Sequence, residues 1–123
     1  MQKNILLIVF AIIFLGFSAN AQEQNQETQE NTGVKKEVFT VYGECGMCER
    51  TIEGSLKNVD GVRLADWNKE TDQMTVSFNP KVITLDAIKQ KIADVGYDSD
   101  THRAKDEVYK RLPSCCQYER PSK

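Results

Sequence analysis

From Glu37 to Tyr97 the apolar residues switch between two spacings, every second position and every third or fourth. Glu37–Gly43 sets Phe39 and Val41 on one face and Val38, Thr40 and Tyr42 on the other, the period of a strand. Cys48, Ile52 and Leu56 then recur every fourth residue, with Glu49, Arg50, Glu53 and Lys57 filling the remaining surface. That spacing predicts an amphipathic helix over Cys48–Asn58, ended by the turn Asn58-Val59-Asp60-Gly61.

Two strands follow. Gln73–Asn79 alternates cleanly, Met74, Val76 and Phe78 against Gln73, Thr75, Ser77 and Asn79. Val62–Asn68 is less regular, because Val62 and Leu64 differ in parity from Trp67, which points to a bulge or a strand end near Trp67. The polar tetrad Lys69-Glu70-Thr71-Asp72 joins the two as a hairpin, and Pro80, which cannot donate to a ladder, closes the second strand. Thr84 is placed as the N-cap of a second helix with Asp86 in its first turn. Leu85, Ile88, Ile92 and Val95 form its buried stripe, and Gly96 stops it. Beyond Tyr97 the pattern weakens: a fourth strand over Tyr97–Arg103 is opposed by Asp98-Ser99-Asp100, Ala104–Leu112 suits a short helix before Pro113, and Ser114–Lys123 has no assignable element. A strand, helix, strand, strand, helix and weak strand build an α+β fold, a split βαβ sheet with both helices on one face.

The chain before this domain has a different character. Lys3, the apolar run Ile5–Phe17 and the small-residue site Ala19-Asn20-Ala21 make a secretory signal peptide over residues 1–21, cut after Ala21. The run is shorter than the roughly 20 residues a membrane span needs. Residues 22–36 contain almost no apolar side chain and are read as a disordered linker. The product is expected in the periplasm or secreted, meeting a membrane only through the signal peptide before cleavage, and as a monomer. A formal net charge of −2 is the wrong sign for a nucleic-acid footprint, so no nucleic acid is expected.

All four cysteines lie in the exported part, where an even number argues for disulfides. Cys45-Gly46-Met47-Cys48 sits between the first strand and the first helix, so both sulfurs can aim at one point and the helix start favours thiolate. Two thiolates suit a soft ion of low coordination number such as Cu(I), whereas structural zinc takes four ligands. The same spacing also fits a redox dithiol or a plain disulfide.

Residues 37–97 resemble the heavy-metal-associated domain family through VFTVYGECGMCERTIEGSLKNVDGVRLADWN, MTVSFNP and the helix ending VGY. The resemblance implies a ferredoxin-like βαββαβ fold over residues 37–103, with 104–123 as a cysteine-containing extension. It implies Cys45 and Cys48 as ligands for Cu(I), with Zn(II) or Hg(II) as further candidates, and transfer of the ion to a protein partner. It also places Tyr97 near the metal loop. The family's usual loop reads Gly-Met-x-Cys-x-x-Cys. Here Gly43-Glu44-Cys45 is one residue shorter and lacks that Met, and Met47 is expected to pack inward as a substitute anchor, the alternative being that its soft thioether faces the ion.

Cys115-Cys116 lies beyond the resemblance. Adjacent cysteines pair with each other only through a strained ring, which leaves three readings: additional ligands beside Cys45 and Cys48, a disulfide to the loop, or an independent pair. His102, the lone histidine, is read as a solvated surface residue. No serine–histidine–acid set, phosphate loop or carboxylate cluster points to an enzyme. The functional expectation is binding and transfer of a soft metal, with two alternatives: thiol–disulfide exchange on the same pair, or a zinc or mercury store using all four cysteines.

Overall fold

A computed structural model describes residues 33–123; the signal-peptide expectation and most of the linker expectation lie outside the described residues. The stretch with the cleanest alternation becomes the centre of the sheet. β1 (Lys35–Thr40), β2 (Val62–Asn68) and β3 (Gln73–Phe78) form an antiparallel sheet in the order β1-β3-β2. Met74, Val76 and Phe78 of β3 are buried, as are Phe39 beside Met74 and Trp67 on the other side of it. Each such side chain contributes about 1.5–3 kcal/mol by leaving water.

Lys35 and Lys36, assigned to the linker from composition, instead open β1, paired with Phe78 and Ser77. Their side chains stay exposed, so the backbone joins the sheet without any apolar burial. The irregularity expected near Trp67 lies earlier, between Val62 and Leu64. Shifting the register there turns Leu64 out to solvent and brings Ala65 and Trp67 into phase with the inner face.

The helices cover that inner face. α1 (Gly46–Gly54) buries Cys48 and Ile52, and α2 (Leu85–Asp94) buries Ile88 and Ile92 in the same core. α1 is shorter than the apolar spacing predicts. Gly54 is a poor helix former, and the chain continues in i→i+3 bonds that still bury Leu56 before Asn58 turns it with a φ of 59°. At α2 the expected cap is present, with Thr84 Oγ1 accepting from Ala87 N at 3.1 Å.

The fourth strand is reduced to a single antiparallel bridge, Val41 to Ser99, flanked by Tyr42 N to Asp98 O at 2.9 Å and Asp100 N to Thr40 O at 3.1 Å. Asp98, Ser99 and Asp100 spend their side chains on local and long-range hydrogen bonds and supply no apolar alternation. Beyond it α3 (Asp106–Lys110) falls within the predicted helix, and Ser114–Cys116 forms one 3-10 turn.

Candidate metal centre

The loop between β1 and α1 is placed from below by Trp67. Its indole Nε1 donates to Val41 O at 2.9 Å, its backbone N–H donates to Glu53 Oε1 at 3.0 Å, and its ring lies beneath Gly43. A Cβ at Gly43 would come within 2.7 Å of the ring, so only glycine lets the loop pass this close. Cys45 is the N-cap residue of α1, extended at φ −142°, and its carbonyl accepts from Glu49 N at 3.1 Å. Cys48, one turn on, is fully buried in the core.

The unassigned tail folds back against this loop. Tyr118 is buried, stacked on Tyr97 with ring centroids 5.5 Å apart and met edge-on by Tyr109 at 5.2 Å. Its hydroxyl donates to Gly96 O at 2.9 Å and accepts from Asp98 N at 2.8 Å. Arg120 grips the buried Asp98 carboxylate with two hydrogen bonds of 2.8 Å, reaches Asp106 at 2.7 Å and donates to Ala104 O at 2.6 Å. Gly96, at φ 108°, leaves room for Leu112, whose side chain would stand 3.0 Å from any Cβ there.

These anchors bring the second cysteine pair to the first. Cys45 Sγ lies 3.6 Å from Cys48 Sγ and 3.9 Å from Cys116 Sγ, and Cys116 Sγ lies 3.8 Å from Cys115 Sγ. All four are free thiols, and the separations far exceed the roughly 2.05 Å of a disulfide. Cys45 Sγ also lies 3.4 Å from the Cys115 carbonyl. Cys45 is half-buried, Cys115 exposed, and Cys48 and Cys116 closed off from solvent.

The four sulfurs differ electrostatically. The backbone N–H of Cys48 at the helix start, the Cys48 thiol and the Met47 N–H outweigh burial at Cys45 and lower its thiol to about 7. Burial, reinforced by the neighbouring Cys48 thiol, pushes Cys116 up to about 12. The Tyr97 hydroxyl faces Cys48 and Cys116, is held protonated by burial first and these sulfurs second, and has no hydrogen-bond partner among the described residues. One thiol is thus ready to ionise near neutrality while its buried neighbour needs a cation to do so, since coordination removes a thiol proton outright.

Two expectations change. Met47 does not pack inward: it is 51% exposed, with Sδ 3.9 Å from Cys115 Sγ. Trp67 already fills the space under the loop, which leaves no cavity for a substitute anchor. His102 is not freely solvated, because its Nε2 lies 3.0 Å from Asp86 and its Nδ1 2.9 Å from Thr101 Oγ1, away from the sulfurs. Asp98, Tyr118 and Arg120, which seat the tail, carry no periodic or motif signal that singles them out in the sequence.

The model of the heavy-metal-associated domain matches residues 39–98, ending before the tail. The copper chaperone CopZ of Staphylococcus aureus (strain JH9) is 36% identical over 66 residues, which are 53% of this chain and 97% of that protein. The N-terminal domain of a potential copper-translocating P-type ATPase from Bacillus subtilis, solved in its Cu(I)-loaded state, superposes with a TM-score of 0.52 at 28% identity, covering 61% of this chain and 95% of that one. Oxidized MerP from Ralstonia metallidurans CH34 gives a TM-score of 0.51 at 28% identity, covering 55% of this chain and 94% of that one.

Proposed function

This chain belongs to the heavy-metal-associated domain family, and from that premise we propose that it carries a soft metal ion, Cu(I) foremost, on the thiolates of Cys45 and Cys48 and passes it to a protein partner outside the cytoplasm. The observation that carries this reading is the convergence of those two sulfurs to 3.6 Å at the start of α1, one reachable from solvent and one buried. Soft thiolates suit Cu(I), and two of them meet its preference for few ligands. Similarity to the copper chaperone CopZ supports copper as the cargo and transfer as the task.

Transfer is ligand exchange. A partner thiolate adds to the ion from the Cys45 side, because Cys48 is closed off by the core. Cys45 then leaves, its low pKa making it a good departing ligand near neutral pH, and Cys48 follows. The copper stays Cu(I) throughout and no substrate bond is made or broken, so the role needs no catalytic group. Export rests on the N-terminal apolar run and Ala19-Asn20-Ala21, and an exported product that begins at Gln22 would support it.

The test is an anaerobic titration of reduced residues 22–123 with Cu(I), Zn(II) and Hg(II), read by competition with a chromophoric chelator. One Cu(I) per chain is expected, lost in Cys45→Ser and Cys48→Ser. Full affinity in both variants would sink the assignment. The lowered Cys45 thiol beside Cys48 also suits thiol–disulfide exchange, and turnover of a disulfide substrate by the metal-free protein would favour that second reading.

A further inference from the structure

We infer that the C-terminal tail completes the site, with Cys116 serving as a third thiolate for the ion held by Cys45 and Cys48, and Cys115 standing beside it as the sulfur nearest solvent. The inference deepens the metal-carrier reading and rests on it. It changes the character of the site from an open pair of sulfurs to a cage whose last wall is a strap.

Geometry is the first support. With metal–sulfur bonds of about 2.3 Å, sulfurs around one ion stand about 3.8 Å apart in a tetrahedron and about 4.0 Å apart in a triangle. The observed separations of 3.9 and 3.8 Å for Cys45–Cys116 and Cys116–Cys115 fall at those edges, and the 3.6 Å of Cys45–Cys48 is slightly shorter than the tetrahedral one. Cys45, Cys115 and Cys116 offer ligand atoms all within 4.8 Å of one another. Cys45 on the loop and Cys116 on the tail, about seventy residues apart, bring their sulfurs within 3.9 Å, and Cys48 adjoins that pair through Cys45 at 3.6 Å.

Anchoring is the second. A disulfide or a chance contact would not require the tail to be seated so firmly, yet Tyr118 and Arg120, two and four residues past Cys116, are tied to Tyr97, Gly96 and Asp98. Those partners directly follow α2, so the strap is fixed to the domain itself. A third observation is the Tyr97 hydroxyl, buried, without a partner among the described residues and facing Cys48 and Cys116. A buried O–H without an acceptor is unfavourable; a thiolate at either sulfur supplies one. Binding one Cu(I) through three thiols releases each remaining thiol proton to solvent, with no change of oxidation state.

The chemistry of the cargo follows from the cage. Three sulfurs hold Cu(I) more tightly than two and slow its loss to small ligands, so a partner must first displace Cys116 and the turn that carries it. The tethered sulfur acts at a local concentration in the millimolar range or above.

X-ray absorption at the copper edge of Cu(I)-loaded residues 22–123 counts the sulfurs directly. Three are expected in the parent chain and in Cys115→Ser, and two in Cys115→Ser/Cys116→Ser, whose Cu(I) affinity falls at least about tenfold. A nuclear Overhauser contact between Tyr97 and Tyr118 reports that the tail stays docked in each variant, and the parent chain's own count decides the matter if it does not. Two sulfurs in the parent would overturn the inference and leave the Cys45–Cys48 carrier intact. Three sulfurs that persist in the double variant would overturn it as well. No Cu(I) uptake by the parent would remove both readings together.

Discussion

Tyr118 stacks on Tyr97 at 5.5 Å, and through that contact a residue outside the matched domain packs against the residue that faces the buried sulfurs. The pair also shares polar partners, because the Tyr118 hydroxyl bridges Gly96 O and Asp98 N on either side of Tyr97. Tail and domain therefore share a single packed seam.

Tyr118→Ala removes a buried ring and two hydrogen bonds, and is expected to cost about 3–5 kcal/mol. Tyr118→Phe keeps the stack and leaves Asp98 N and Gly96 O without their bridge, for about 1–3 kcal/mol. Urea unfolding of both variants separates the ring from the hydroxyl. Equal losses would show that the stack contributes nothing.

Arg120→Ala strands the buried Asp98 carboxylate and is expected to destabilise by about 3–5 kcal/mol. Asp98→Asn/Arg120→Ala should recover part of that loss, because the uncompensated charge is gone. A double-mutant cycle in denaturant measures the coupling. A coupling near zero would mean the guanidinium is held by Asp106 and Ala104 O alone.

Burial alone would raise the Asp98 carboxyl, but the Arg120 guanidinium and the Ala104 N–H outweigh it and hold it below the usual carboxylate range. A depressed folded-state value means the stabilisation is whole above the unfolded value of about 3.9 and disappears as pH falls through the folded one. Stability is expected to hold from neutrality down to about pH 4 and then decline. The decline should be shallower in Asp98→Asn, read as the unfolding midpoint against pH.

Gly43→Ala forces a Cβ against the Trp67 ring and is expected to cost about 1–3 kcal/mol by overpacking. Met47→Ala should change stability by no more than about 0.5 kcal/mol, since the side chain is largely exposed. Thermal melts of the two variants test both at once. A large loss in Met47→Ala would restore it as an inward anchor.

Much of the domain is legible in its periodicity. Gln73–Phe78, the Cys48–Ile52–Leu56 stripe and the Thr84 cap each follow from local rules that the structure obeys. What periodicity misplaces is local compensation: the parity change between Leu64 and Trp67 points to an irregularity near Trp67, whereas the register shifts between Val62 and Leu64, and α1 stops early because one glycine outweighs an apolar stripe. At the site, the sequence marks four cysteines but carries no sign of how far apart they lie. That distance depends on Asp98 meeting Arg120 and Tyr97 meeting Tyr118, contacts between residues about twenty positions apart with no repeating spacing. Met47 stays outside because the space under the loop is occupied by Trp67, a fact about volume that no one-dimensional pattern holds.

The indole beneath Gly43 is the chain's single tryptophan. Its emission therefore comes from one known place, a van der Waals contact from the loop that bears Cys45, and needs no attached dye. Any event that lifts or tightens that loop is written into the fluorescence of the unmodified protein, which makes its state readable in real time at micromolar concentration.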